Sequence, residues 1–290
     1  MVFNASKKLM RSSMALITVC LMVHGYAGQQ RGMVVRPPRL YHNGVEADGD
    51  TAVVLYAPGL GGNQSNIPAH LMRKSCYSLL FPEASEDEPD QVNLHKASCG
   101  QQPDIDAFTA AFRDLLSLVT PDRKVILCGH SRGAATIVNS LPALSEQEVQ
   151  RIEQVILSAP FDSLKSVVRE LCKKREISTK VADFLHYWIV PLFLRQYNPH
   201  GITPIDSVSH IKNMTSLPIT IIASQDDAVV PFNCTQNLFK KFRDCGCVRA
   251  TLIPLETGGH NVIFKLDDRC VATALCGKNF VPLPTPIAIV

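Results

Sequence analysis

The segment 125–135, VILCGHSRGAA, constrains this chain more than any other. An apolar run long enough for a buried strand stops at Gly129. Ser131 then stands between two glycines, with small helix formers directly behind it. A hydroxyl at the end of a core strand, with bulk removed on both sides, fits a tight strand-to-helix turn. Such a turn strains the serine backbone and needs glycine where Cβ atoms would collide with neighbours.

The rest of the chain supplies the sheet this turn requires. Short β-branched or leucine-rich runs at 51–57, 77–81, 124–129, 154–160, 217–224 and 248–255 read as strands. Between them, the patterns at about 63–74, 104–119, 134–141 and 233–243 read as helices; in 104–119 the apolar residues Ile105, Phe108, Ala111, Phe112, Leu115 and Leu116 recur at helical spacing. Continuous apolar strands alternating with helices predict an α/β architecture around a mostly parallel sheet buried on both faces. Residues 161–216 are too many for one crossover helix. They include 181–197, VADFLHYWIVPLFLRQY, which holds the chain's one tryptophan. That segment reads as a helix on the sheet edge, or as a cap whose Phe184, Trp188 and Phe193 line an apolar substrate pocket, with Pro191 bending it.

At 290 residues the chain has room for one large α/β domain or two small ones. Lys7, Lys8 and Arg11 precede an apolar run from Met14 to Val23, with Gly25 and Ala27 after it, the pattern of a secretory signal peptide. The predicted organisation is a signal peptide over 1–27, an N-terminal segment over 28–50, a domain over 51–276 that includes the 161–216 insertion, and a tail over 277–290. Export implies a secreted or periplasmic protein, or a membrane-anchored one if the N-terminus is not cleaved. The net charge is +3, and the three basic residues of 1–27 account for it. The near-neutral remainder carries nothing that would collect phosphates, so nucleic acid is not an expected partner.

Of ten cysteines, Cys20 falls in the signal and Cys128 in a core strand. An even eight remain, and in an exported chain that suggests disulfides, with Cys76–Cys99 across a polar loop as the best single pairing. Cys245-x-Cys247 lacks the second spaced pair of a zinc site, and no metal is expected. Asn63, Asn213 and Asn233 head sequons that matter only in a eukaryotic secretory pathway.

A serine becomes a nucleophile when a base takes its proton and an acid orients the base. Downstream of Ser131, the end of the fifth strand reads SQDDAVVPF, and either Asp227 or Asp226 can serve as that acid. Asp227 is preferred for its D-x-x-V-P context, with Asp226 as fallback. After the sixth strand His260, preceded by Gly258 and Gly259, reads as the base, whereas His130 on the turn itself points away from the nucleophile's face. The backbone N–H groups of Arg132 and of Leu60, in the Gly-rich loop after the first strand, are the expected oxyanion donors. That loop lacks the G-K-[ST] of a phosphate loop.

Taken in order, Pro58-Gly-Leu-Gly-Gly, Gly129-His-Ser-Arg-Gly, Asp226-Asp-Ala-Val-Val-Pro and Gly258-Gly-His resemble the α/β-hydrolase superfamily over about residues 50–270. SAPFDSL, followed by YNPHGITPIDSVSHI, is similar to its dienelactone-hydrolase and prolyl-oligopeptidase-like branch. The resemblance implies an α/β-hydrolase fold with an eight-stranded, mostly parallel sheet, esterase-like chemistry and no cofactor, and the helical cap insertion expected over 161–216 comes from that segment's own length and apolar content. Pro58-Gly59 stands where the family has His-Gly, and RPPRLYHNGVEADGD carries little sign of the family's first antiparallel strands. The expected function is a carboxylesterase or small lipase working through an acyl-enzyme, with a small-molecule or lipid ester read only from the aromatic 181–197 segment, and with contact to a membrane surface if the N-terminus is not cleaved. The alternatives are a thioesterase or serine peptidase of the same fold, and a non-catalytic hydrolase-like binding protein.

Overall fold

A computed structural model describes residues 39–43, 53–60, 68, 75–80, 97–211 and 216–264; the expected signal peptide, all but residue 68 of the expected helix at 63–74, and Cys20, Cys270 and Cys276 lie outside them. The apolar runs become strands because they are shielded from both sides. β2 (Val53–Ala57), β4 (Val125–His130) and β6 (Ile219–Ser224) have no exposed residue. With β1 (Arg39–Asn43), β3 (Ser75–Leu80), β5 (Ile152–Ser158) and β7 (Ala250–Leu255) they form one sheet, in the order β1-β3-β2-β4-β5-β6-β7.

The six strands β2 to β7 run parallel, and β1 pairs antiparallel to β3. The described residues thus hold seven strands against the eight implied. One of them, β1, lies in the stretch that reads as having almost no strand. RLYHN has no apolar alternation, and an edge strand can be held by backbone pairing with one neighbour, which leaves little mark on composition.

Successive residues of the strands β2 to β7 feed two different cores, as the two-residue repeat of a strand requires. Leu55, Leu127, Leu157 and Ile221 meet Phe108, Phe112, Ile137 and Phe242 on one face. Val54, Tyr56, Ile126, Cys128, Ile156, Ile222 and Ile253 meet Val262 and Ile263 on the other. On the first face lie α1 (Gln102–Leu118), which buries Ile105, Phe108, Ala111, Phe112 and Leu115, and α2 (Arg132–Ser140), none of whose residues is exposed. A short α3 (Glu146–Gln150) starts on a capping box in which Ser145 and Glu148 satisfy each other's backbone N–H groups.

The insertion is helical and has its own small core. It comprises α4 (Leu164–Lys173), α5 (Thr179–Phe184), a π-helical turn (Leu185–Ile189), α6 (Val190–Phe193) and α7 (Pro204–Val208). Ala182, Leu185, Val190 and Leu194 turn inward onto Val168, Cys172, Ala97 and Cys99. Pro191 sits in the first turn of α6, where its missing N–H does least harm, immediately after the π turn. The last long helix, α8 (Phe232–Asp244), covers β6 and β7 through Leu238 and Phe242.

The chain steps from β2 to β3 on one side, then from β4 through β7 on the other. In such sheets the crevice for a ligand opens beyond the carboxyl ends of the strands where the order reverses. The loops after β2, β4, β6 and β7 all emerge at that end.

Candidate active site

Ser131 links β4 to α2 at φ 51° and ψ −114°, a conformation L-residues avoid. It is held there from both sides. Its N–H donates to the Ser158 carbonyl at 2.8 Å, and its own carbonyl accepts from Ala135 N–H at 3.1 Å. The flanking glycines are required by contact. A Cβ on Gly133 would lie 2.0 Å from the Ala57 carbonyl oxygen, and one on Gly129 would lie 2.7 Å from the Ala134 nitrogen. The strand-to-helix reading of VILCGHSRGAA holds at each of these positions.

Three loops converge on this serine. His260 Nε2 lies 3.0 Å from Ser131 Oγ, and His260 Nδ1 lies 2.9 Å from Asp227 Oδ2. A carboxylate only accepts, so Nδ1 donates to Asp227 and Nε2 is left to accept the serine proton. Asp227 is buried, and its other oxygen accepts from Val229 N–H at 2.7 Å and Val230 N–H at 2.9 Å, which fixes its direction. Asp226, the fallback acid, faces elsewhere. It accepts from Ser224 Oγ at 2.5 Å and Gly259 N–H at 2.8 Å, and so braces the loop that carries His260. The Ser224 hydroxyl and these N–H bonds hold the Asp226 carboxyl below the usual carboxylate range.

His130 lies nearer the site than its position on the turn suggests. Its ring centroid is 4.9 Å from that of His260 and its Nδ1 is 3.3 Å from Ser158 Oγ; Phe264 packs edge-on at 5.4 Å. Burial first, and then the nearby His260, push its pKa down to about 3, so at neutral pH it is an uncharged wall behind His260. The loop after β2 touches the same wall. A Cβ on Gly59 would stand 3.0 Å from the His130 ring and 3.5 Å from Ser131 Cβ, so this backbone passes directly beside the serine, with Leu60 next along the chain and exposed.

Beneath the turn lies a buried ion pair with no sequence signal. Arg132 donates through Nε to Asp104 Oδ2 at 2.7 Å and through a terminal nitrogen to Oδ1 at 2.5 Å, and both side chains are about 1% exposed. Burial pushes the Asp104 carboxyl up and the Arg132 guanidinium down, while the two-pronged contact and Gly100 N–H, at 2.6 Å, favour the charged pair. Gly100 also accepts from Asn139 on α2, which in turn accepts from Ser207 of the insertion. Gln101 clamps Asn198 of the insertion by two 2.6 Å bonds, to its carbonyl and from its N–H. Residues 99–104, at the start of α1, thus join the insertion to the serine turn. In the sequence, Asp104 reads only as a helix cap.

Two expectations are corrected. Among the described residues, Phe184 and Trp188 do not turn inward to a pocket but stand exposed on the outer face of the insertion, because Ala182 and Leu185 take the inward positions. Phe193 is half-buried. The expected Cys76–Cys99 bridge is absent, since Cys76 lies in the sheet layer with Val54 and Tyr56 while Cys99 lies in the core of the insertion. Cys172, Cys234, Cys245 and Cys247 are likewise free thiols, and Cys128 is a buried core thiol as expected. A cleft of about 830 Å³, lined by Lys124, Ile152, Pro218 and Arg249 among others, opens at the amino ends of the strands, away from Ser131.

Comparison with known proteins gives the fold independently. Residues 82–260 match a family model described as serine hydrolase. Among solved structures, an α/β hydrolase from a Medee basin deep-sea metagenome library superposes with a TM-score of 0.52 at 14% identity, covering 86% of this chain and 97% of its own. An esterase of Pyrococcus furiosus gives 0.52 at 14% identity over 82% of this chain and 91% of its own. An acylaminoacyl peptidase gives 0.55 at 14% identity over 82% of this chain and 40% of its own. A search of curated protein sequences finds no match.

Proposed function

Because the chain belongs to the serine hydrolase family, we propose that it cleaves carboxylic esters through an acyl-enzyme on Ser131, with His260 as base and Asp227 as its orienting acid. The observation that carries this reading is the unbroken relay of 3.0 Å and 2.9 Å contacts from Ser131 through His260 to Asp227. His260 Nε2 takes the hydroxyl proton as Ser131 Oγ attacks the ester carbonyl, while Asp227 holds the imidazolium that forms. The alkoxide leaves with that proton when the carbonyl–oxygen bond breaks. Water then attacks the acyl-enzyme, gives its proton to His260, and frees the acid as Ser131 regains a proton.

The oxyanion in each half is assigned to the Leu60 and Arg132 N–H groups. Arg132 is the first residue of α2, where N–H groups have no i−4 acceptor within the helix, and the helix dipole there favours negative charge. The close passage of Gly59 beside Ser131 supports Leu60 as the second donor.

The shared fold of the Pyrococcus furiosus esterase supports ester chemistry, and that of the acylaminoacyl peptidase sets amide cleavage as the rival. A fluorophosphonate probe tests the serine: wild type is labelled and Ser131→Ala is not. Matched p-nitrophenyl esters and p-nitroanilides then separate ester from amide cleavage, and faster turnover of the anilides would reverse the assignment. An unlabelled wild type would make the chain a binding protein on this scaffold. The basic and then apolar N-terminus supports export of the protein, which N-terminal sequencing after expression in a secreting host tests, with cleavage after Ala27 expected.

A further inference from the structure

We propose that the outer face of the insertion is a docking surface for an anionic lipid bilayer. Four of the ten large apolar side chains that are most exposed among the described residues fall within 181–192: Val181 at 40%, Phe184 at 54%, Trp188 at 68% and Leu192 at 64%. Their spacings of three, four and four residues place them on one face of the α5–π–α6 run, opposite the face that packs inward. Scattered exposed leucines mean little, but a stripe of large side chains with a tryptophan within it marks a contact surface.

Charge selects the occupant. Residues 165–195 hold seven Lys and Arg against three Asp and Glu, a net +4, while the whole chain carries +3. Two of those three acids are neutralised locally: Asp183 is gripped by Arg169 at 2.7 and 2.9 Å, and Glu170 lies 3.7 Å from Lys173. Lys174, Arg175 and Lys180 are exposed at the start of the stripe and Arg195 is exposed at its end. An apolar stripe carrying Trp, Phe and Leu, bracketed by cations, fits the headgroup boundary of an anionic membrane. A second copy fits badly, because a two-fold contact through this face would bring its own cations together. Among the described residues no helix is long and apolar enough to cross a membrane, so the contact is with the surface. The proposal stands apart from the ester reading, because none of these residues touches Ser131, His260 or Asp227.

Trp188 is the chain's one tryptophan, so indole emission reports this face alone. The experiment titrates the full-length protein with vesicles of phosphatidylcholine, and with vesicles that also contain phosphatidylglycerol. The expected result is a blue shift and protection from acrylamide with the anionic vesicles only, both reversed by raising the salt. In Lys174→Glu/Lys180→Glu, tested by sedimentation, the vesicle partition coefficient falls about tenfold or more. Leu192→Ala weakens binding at either ionic strength. These side chains are exposed, so the variants keep the wild-type melting temperature, which is measured alongside. Absence of any shift, or an equal shift with neutral vesicles, overturns the proposal. A shift that grows with protein concentration without lipid overturns it in favour of self-association. Emission already blue and shielded in dilute protein overturns it as well, because the chain itself would then cover the face.

Discussion

Asp227 Oδ2 lies 2.9 Å from Nδ1 of His260, while the adjacent Asp226 turns to the backbone of Gly259 at 2.8 Å. Neighbouring carboxylates therefore have separate tasks, one on the imidazole and one on the loop that carries it. Asp227→Asn should lower kcat by about 10⁴, since an amide no longer fixes the tautomer that accepts the serine proton. Asp226→Asn should lower it by only about 10- to 100-fold, through misplacement of His260. Steady-state hydrolysis of a p-nitrophenyl ester distinguishes them, and equal losses would mean that the two roles are not separate.

The pair beneath the serine turn is tested by breaking it and then replacing it. Asp104→Leu or Arg132→Met alone strands a charge in the core and should cost about 3–5 kcal/mol in urea unfolding. The double variant should recover most of that stability, because two apolar side chains of similar length need no counter-charge. A double variant no more stable than either single one would show that the site cannot be filled by apolar packing.

Two glycines give opposite expectations. Gly133→Ala puts a methyl 2.0 Å from the Ala57 carbonyl oxygen, where only backbone can yield, and should destabilise the protein by more than about 4 kcal/mol. Gly259 sits at φ 64° with nothing within 4 Å of an added Cβ, so Gly259→Ala pays only the left-handed backbone penalty of about 1–2 kcal/mol. Thermal melts of both variants check the contrast.

Acid should weaken the fold through its buried histidines. Burial lowers the pKa of His130 to about 3, and burial with the nearby Lys165 lowers that of His186 to about 4. Both folded values lie below the unfolded value of 6.5, so the unfolded chain takes up protons that the native state refuses. Their contribution is present above pH 6.5 and is lost as pH falls from there toward 4, at about 1.4 kcal/mol per pH unit for each group. Comparing denaturation of wild type and His130→Gln between pH 7.5 and 5 isolates one of them. The variant should lose less stability on acidification; identical slopes would mean that His130 titrates normally in the native state.

The serine turn was legible because every requirement it imposes is local: an apolar run, two glycines, small residues behind. The strands β2, β4, β5 and β6 were legible for a similar reason, since burial on both faces writes itself into continuous apolar runs, and the partly exposed edge strand β7 keeps enough of that pattern to read as a strand. So was the order nucleophile, acid, base along the chain. Composition could not show β1, which pairs through its backbone with β3.

Tertiary structure decided what depends on direction. Asp226 and Asp227 differ by one step along a turn, and the N–H groups of Val229 and Val230 settle which carboxylate faces the histidine. Asp104 and Arg132 are 28 residues apart on two helices, and nothing in the sequence joins their side chains until α1 and α2 pack. The 181–197 segment is apolar nearly all round, so its sequence could not say which residues face in; its packing on Val168 and Cys172 turned Phe184 and Trp188 outward. Local pattern sets where a chain bends and what it buries, whereas contacts between distant elements follow from how the sheet and its helices are laid together.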